Sequence, residues 1–131
     1  LHQALRSVLG EHVRQMGSDI NEERLRFDFS REEKVSEEQI REIERIVNEQ
    51  IKRGADVCKE EMSYTKAIES GALAFFKEEY GDLVTVYSIA GFSKEVCGGP
   101  HVSNTAEIGS FKIMKEQSSS SGIRRIKAII N

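Results

Sequence analysis

Apolar residues recur at helical spacing in two stretches of the chain. Residues 1–9 carry the first apolar stripe, and Gly10 is a suitable end for that helix. The second stretch follows a capping box in which Ser36 is the N-cap and Gln39 is the third helical residue, and it ends at Gly54. Its apolar stripe consists of Ile40, Ile43, Ile46, Val47 and Ile51. We therefore predict two amphipathic helices.

Shorter segments alternate between apolar and polar residues, which is typical of strands with one buried face. The predicted strands are 12–16, 25–29, 55–62, 83–89, 111–114 and 123–130. Gly17 to Asp19 is predicted as a turn, so that the first two strands form a hairpin, and the serine-rich stretch 117–122 is predicted as a loop. A short helix capped by Ser63 is predicted over 63–70, and a helical or irregular piece over 72–80. This order predicts an α+β fold, a two-layer sandwich with helices packed on one face of a mainly antiparallel sheet.

Composition is that of one ordinary globular domain. The 131 residues are 31% charged and 38% hydrophobic, and the formal net charge is −3. That charge argues against nucleic-acid binding through bulk charge, but it leaves room for a local basic patch. No apolar run reaches the roughly 18 residues that would cross a membrane. Because the chain begins at Leu1, within a predicted helix, we expect residues 1–131 to be a single domain taken from a longer chain.

The two cysteines, Cys58 and Cys97, are separated widely enough in sequence that a disulfide is conceivable. Nothing in the sequence indicates secretion, however, so we expect reduced thiols and a cytoplasmic location. Cys58 falls in a predicted strand and is expected to be a small buried apolar residue.

Cys97 and His101 are the best candidates for metal ligation. Three residues separate them, and Gly98 and Gly99 allow the backbone to fold back tightly between the two side chains. Two ligands are nevertheless too few, because a structural zinc site has four protein ligands and a catalytic site three. From the residues alone, a metal site and a chance Cys/His doublet remain alternatives.

Five motifs occur together and in order along the chain. They are Leu5-Arg6, His12-Val13-Arg14-Gln15-Met16-Gly17-Ser18, Leu25-Arg26-Phe27-Asp28-Phe29, Cys97-Gly98-Gly99-Pro100-His101 and Gly122-Ile123-Arg124-Arg125-Ile126. In this combination the chain resembles the editing domain of alanyl-tRNA synthetases, which is shared in outline with threonyl-tRNA synthetases and free-standing alanyl-tRNA deacylases. The resemblance covers nearly the whole chain.

The resemblance implies a zinc-dependent hydrolase that removes serine or glycine wrongly attached to the alanine tRNA. In such domains a Cys-x-x-x-His pair and a His-x-x-x-His pair hold the zinc, and Cys97 and His101 match the first of these. The resemblance places the other two histidines upstream of residue 1, the second of them about one helical turn before His2. Pro100 stands where the family usually has threonine.

The same resemblance assigns roles to residues outside the Cys/His pair. Gln15 matches a polar position that faces the editing pocket, where it would read the serine hydroxyl. Arg124 and Arg125, with Lys112, Lys115 and Lys127 near them in sequence, would contact the phosphates of the tRNA(Ala) acceptor end. Other partners would be the remaining domains of a parent synthetase. The alternative is a non-catalytic module of the same fold that binds tRNA or a partner with an incomplete metal site.

Overall fold

The computed structural model describes residues 1–74, 82–97 and 101–130. The helices in this part of the chain are α1 (His2–Leu9), α2 (Glu37–Arg53) and α3 (Tyr64–Glu69), with a 3₁₀ helix at Thr105–Ile108. The strands are β1 (Gln15–Ile20), β2 (Arg24–Ser30), β3 (Val57–Ser63), β4 (Leu83–Ile89), β5 (Ser93–Val96), β6 (Phe111–Ser120) and β7 (Ile123–Ile130).

The strands form two antiparallel sheets. The four-stranded sheet has the order β1-β2-β7-β6, and the three-stranded sheet has the order β3-β4-β5. Helices and antiparallel sheets therefore pack as an α+β sandwich, which confirms the predicted class. The predicted hairpin of the first two strands is also present as β1-β2.

One face of the four-stranded sheet packs against α1 and α2, and we call it the inner face. Phe29 of β2, Ile126 of β7, Leu5 of α1 and Ile43 of α2 are completely buried in this core. The amphipathic stripes predicted for both helices thus have a buried sheet face to cover. The capping box of Ser36 and the left-handed Gly54 bound α2 as predicted.

Two polar side chains of α2 hold the free edge of β6. Asn48 donates its amide N–H to the Phe111 carbonyl at 2.9 Å and accepts from the Phe111 N–H at 2.9 Å. Glu44 accepts from the Ile113 N–H at 2.6 Å. The helix therefore supplies partners for backbone groups that an edge strand would otherwise leave unpaired.

The three-stranded sheet has its own, smaller core beneath α3. Ala67 of α3 packs with Val84 and Val86 of β4 and with Val96 of β5. Ser63 caps α3, as predicted, by accepting from the Lys66 N–H at 3.1 Å.

Two predicted loops are strand in the structure. The predicted turn at 17–19 lies within β1, and the chain turns at 21–23, where the Asn21 side chain accepts from the N–H groups of Glu23 and Arg24. The serine-rich stretch continues β6 to Ser120 because its residues pair with β7, and only positions 121 and 122 form the turn. Strand β5 was not predicted, because its four residues are too few and too polar to show a pattern.

Cys58 is exposed, so its predicted burial is wrong. It lies on β3, an edge strand, opposite Ser88 and away from the apolar cluster beneath α3. Of the piece predicted over 72–80, residues 75–80 lie outside the described residues. No helix in the described part of the chain is long and apolar enough to cross a membrane.

Candidate active site

Cys97 is held directly after the last residue of β5. Its N–H donates to the Thr85 carbonyl at 3.1 Å, which extends the pairing of β5 with β4 by one residue. On the other side of β5, Val96 donates to the Leu73 carbonyl at 2.8 Å. The backbone before the Cys97 thiol is thus fixed from both sides, and the side chain is half-buried.

His101 is positioned from its C-terminal side by a segment fastened to the end of α2. Ser103 accepts from the Val57 N–H at 2.8 Å. Thr105 is buried, and its hydroxyl donates to the Gln50 carbonyl at 2.6 Å. Residues 98–100, which join the two candidate ligands, lie outside the described residues.

The imidazole of His101 stacks on the ring of Tyr87. The ring centroids are 3.8 Å apart and the planes are inclined by 16°. Stacking fixes the plane of the imidazole, so that partners of the two ring nitrogens approach at the edge of the ring. Tyr87 is therefore the residue that orients the exposed candidate ligand.

Glu95 and His2 form a polar pair next to these residues. His2 Nδ1 lies 2.6 Å from Glu95 Oε1, and Glu95 is the register partner of Tyr87. Burial acts to raise the pKa of the Glu95 carboxyl, but its hydrogen bond with His2 and the charges of His2, the amino group of Leu1 and His101 outweigh burial and lower the pKa. Because His101 stacks on Tyr87, the register partner of Glu95, its imidazole lies on the same side of the three-stranded sheet as this carboxylate.

His2 also links this pair to the four-stranded sheet. It is buried, with 4% of its surface exposed, and its ring lies 5.6 Å from the ring of Phe27 on the inner face. Phe27 pairs with Ser18 of β1, whose hydroxyl accepts from the Gln15 amide at 3.1 Å. A series of contacts therefore connects Gln15 to Glu95, through Ser18, Phe27 and His2.

The position of Gln15 depends on a bulge in β1. Gln15 pairs with Phe29 and Gly17 pairs with Asp28, so that Met16 is the extra residue. Gln15 therefore lies on the side of the sheet that carries Phe29 and the core. Its role as the residue that reads the substrate's hydroxyl remains a prediction.

Arg124 and Arg125 lie on opposite faces of β7 and are both engaged within the protein. Arg124 binds both oxygens of Glu116, at 2.6 and 2.7 Å. Arg125 binds both oxygens of Asp28, at 2.8 and 3.1 Å. These bidentate pairs raise the pKa of both guanidinium groups through the hydrogen bonds with the carboxylates. Their contact with tRNA phosphates remains a prediction, and it would require sharing or breaking these pairs.

The structure thus brings His101 against Tyr87, whose register partner Glu95 pairs with His2, and Cys97 follows Glu95 by two residues at the end of β5. Sequence reasoning missed Glu95 and Tyr87. Alternation from Cys97 indicates Glu95 once β5 is identified, whereas Tyr87 follows only from the register of β5 with β4. A cysteine thiolate and an imidazole are donors that suit zinc. Within the described residues, no group of three or more His, Cys, Asp or Glu side chains is close enough to hold a metal ion.

A separate open groove of about 860 Å³ lies between α1 and the turn that joins β4 to β5. Arg6 and Glu11 line one wall, and Phe92 and Lys94 line the other. Of the predicted site residues within the described part of the chain, none borders this groove, so it is distinct from the Cys97 region.

Comparison with known proteins gives two kinds of match. Residues 84–127 match the family described as the threonyl and alanyl tRNA synthetase second additional domain. An alanine–tRNA ligase of Borreliella burgdorferi is 62% identical over 130 residues, which are 99% of this chain and 22% of that protein. The ligase of Treponema pallidum is 56% identical over 130 residues, with the same coverage. That of Staphylococcus aureus is 52% identical over 129 residues, or 98% of this chain and 15% of that protein.

The chain spans about a fifth of the length of the Borreliella burgdorferi and Treponema pallidum ligases, and nearly all of its own length is aligned. The matched family segment begins in β4, includes Cys97 and His101, and ends in β7. This agrees with the motifs from which the resemblance was predicted. The chain is thus homologous to a segment of bacterial alanine–tRNA ligases that contains the second additional domain of threonyl and alanyl tRNA synthetases.

Proposed function

We propose that this chain is the editing domain of an alanine–tRNA ligase and that it hydrolyses serine or glycine from mischarged tRNA(Ala) in a zinc-dependent reaction. The observation that carries the proposal is the position of Cys97 and His101. They lie within the segment that matches the synthetase family, beside the Glu95–His2 pair and the Tyr87 ring. The scissile bond is an ester between the amino acid and the terminal ribose.

Zinc would be held by Cys97, by His101 and by two further histidines that the resemblance places before residue 1. When bound, such an ion polarises a carbonyl or lowers the pKa of a water molecule. Tyr87 fixes the plane of the His101 ring by stacking. Cys97 is fixed through its backbone at the end of β5. These two positions are therefore set by different structural elements.

The other residues of the region have positioning roles in this proposal. Glu95 accepts a hydrogen bond from buried His2 and thereby joins α1 to β5 across the region between the sheets. Gln15 supplies an amide group that would hydrogen-bond to the hydroxyl of serine, a contact that the correctly attached alanine lacks. Glycine would gain nothing from that contact.

The proposal is tested by measuring hydrolysis of seryl-tRNA(Ala) with added zinc. The measurement should be made on this chain and on the longer ligase to which we propose it belongs. We expect Cys97→Ala with His101→Ala to remove most of the hydrolysis. Cys58→Ala is the matched control, because Cys58 is an exposed thiol outside the region, and it should retain the wild-type rate.

Two outcomes would reject the proposal. Hydrolysis that survives the double substitution would exclude the Cys97–His101 site. No hydrolysis by either wild-type protein, together with retained tRNA binding, would favour the alternative of a non-catalytic binding module.

A further inference from the structure

The outward face of the four-stranded sheet carries a group of exposed cations, which we call the basic face. Arg24 and Arg26 of β2, Lys127 of β7, and Lys112 and Lys115 of β6 project from it. Four of these residues are exposed, and Arg26 is half-buried, with 37% of its side chain exposed. The apolar residues that alternate with them point to the opposite, inner face, where α1 and α2 pack. No helix of the described chain covers the basic face. A chain of net charge −3 thus concentrates positive charge on one surface.

Three of these cations stand side by side. Lys127 is the direct register partner of Arg26 on one side and of Lys115 on the other. A bulge at Met114 makes this possible, because it turns Lys115 outwards while Ile113 stays in the core. With strands about 4.8 Å apart, the row is roughly 10 Å wide.

The protein's own carboxylates neutralise little of the positive charge of Arg26, Lys127 and Lys115. Asp28 binds Arg125 through both oxygens and lies 3.6 Å from Arg26. Asp19 is the register partner of Arg26 at the β1 edge, and the acidic turn 21–23 ends the face. Within the described residues, no carboxylate oxygen lies within 4 Å of the other four cations, Arg24, Lys112, Lys115 and Lys127.

Like charges placed directly opposite each other on a sheet oppose folding. A polyanion that binds across the row removes this repulsion and releases its own counterions. A protein partner is less suitable, because the centres of protein interfaces are poor in charged residues and only Met114 and Ile129 are exposed large apolar residues among these cations.

We infer that the basic face binds the phosphate backbone of an RNA helix, the acceptor stem of the tRNA whose aminoacyl end reaches the region between the sheets. This inference rests on the proposed function, which supplies the RNA. Of the residues for which phosphate contacts were predicted from the resemblance, it keeps Lys112, Lys115 and Lys127 and adds Arg24 and Arg26. It leaves out Arg124 and Arg125, because those guanidinium groups are occupied by Glu116 and Asp28.

The test compares Lys115→Glu/Lys127→Glu with a control, Arg41→Glu/Lys66→Glu, which makes the same charge change at exposed positions of α2 and α3. Binding of uncharged tRNA(Ala) is measured by fluorescence anisotropy over a range of salt concentrations. We expect the basic-face variant to bind about tenfold more weakly and its log–log salt slope to become shallower by roughly 1.5 to 2. The control should change affinity by less than about twofold.

A second assay separates this inference from the proposed function. The 3′-O-seryl ester of adenosine has no acceptor stem, so the basic-face variant should hydrolyse it at the wild-type rate while losing efficiency on seryl-tRNA(Ala). If wild type cleaves neither ester, the proposed function fails, and the binding data alone decide on the surface. Equal affinities of wild type and variant, or equal weakening in the control, would overturn the inference. Lys115→Gln/Lys127→Gln, which adds no negative charge, should give a smaller loss in the same direction.

Discussion

Lys127→Glu should stabilise the protein, because it replaces two repulsive cross-strand pairs by two attractive ones. Lys127 stands between Arg26 and Lys115 in the middle of the four-stranded sheet. The buried neighbours of Lys127 along β7, Ile126 and Ala128, face the core and are not altered by the substitution.

The magnitude follows from the two pairs and their exposure. A cross-strand charge pair contributes roughly 0.2–1 kcal/mol, favourable for opposite charges and unfavourable for like charges. Because the lysine side chains are exposed, values near the lower end apply. Removing two repulsions and gaining two attractions then gives about 1 kcal/mol. For a domain of this size that corresponds to a rise in Tm of roughly 3 °C.

Thermal unfolding followed by circular dichroism, at about 10 mM and about 1 M salt, tests this reasoning. The gain should be present at low salt and largely disappear at high salt, where the Debye length falls to about 3 Å. Lys112→Glu is the matched control, because it makes the same change on the same face opposite Ile129, a neutral residue. The reasoning is refuted if Lys127→Glu is no more stable than wild type at low salt, if Lys112→Glu gains equally, or if the gain persists at high salt.

Three further predictions concern stability. Asn48→Ala should lower the free energy of unfolding by about 2 kcal/mol in urea, because it removes two hydrogen bonds with the β6 backbone. Ser36→Ala should cost about 1 kcal/mol in the same assay, whereas Ser36→Asn should cost little because asparagine also caps helices. Backbone N–H groups of Asn104 and Ser103 lower the pKa of Glu107, so its stabilising effect should be full above about pH 4.5 and disappear as pH falls through the lowered pKa. Glu107→Gln should flatten the pH dependence of Tm in that window, and an unchanged profile would contradict this.

The sequence predicted well those features that local chemistry determines. The capping box at Ser36, the cap at Ser63 and the apolar stripe of α2 are read from neighbouring residues, and all are present. The strands with strong β-forming residues, such as β4 and β7, were also found. Here the local preference and the tertiary structure agree.

Features that depend on distant partners could not be predicted. The serine-rich end of β6 is strand only because β7 pairs with it, and Met114 is a bulge residue only in that register. The pairing of His2 with Glu95 could not be read from neighbouring residues, because the two residues lie 93 positions apart. Residue type and spacing identified Cys97 and His101, and the resemblance supported them, but only the three-dimensional packing adds Tyr87, which no spacing along the chain indicates.

The most direct test of the proposed function is the rate of seryl-tRNA(Ala) hydrolysis during removal and return of zinc. Protein treated with a chelator and dialysed should lose hydrolysis, and adding back about one equivalent of zinc should restore it in wild type and Cys58→Ala but not in Cys97→Ala. Hydrolysis that is indifferent to chelation, or that zinc restores equally in Cys97→Ala, would contradict a zinc-dependent editing site at Cys97 and His101.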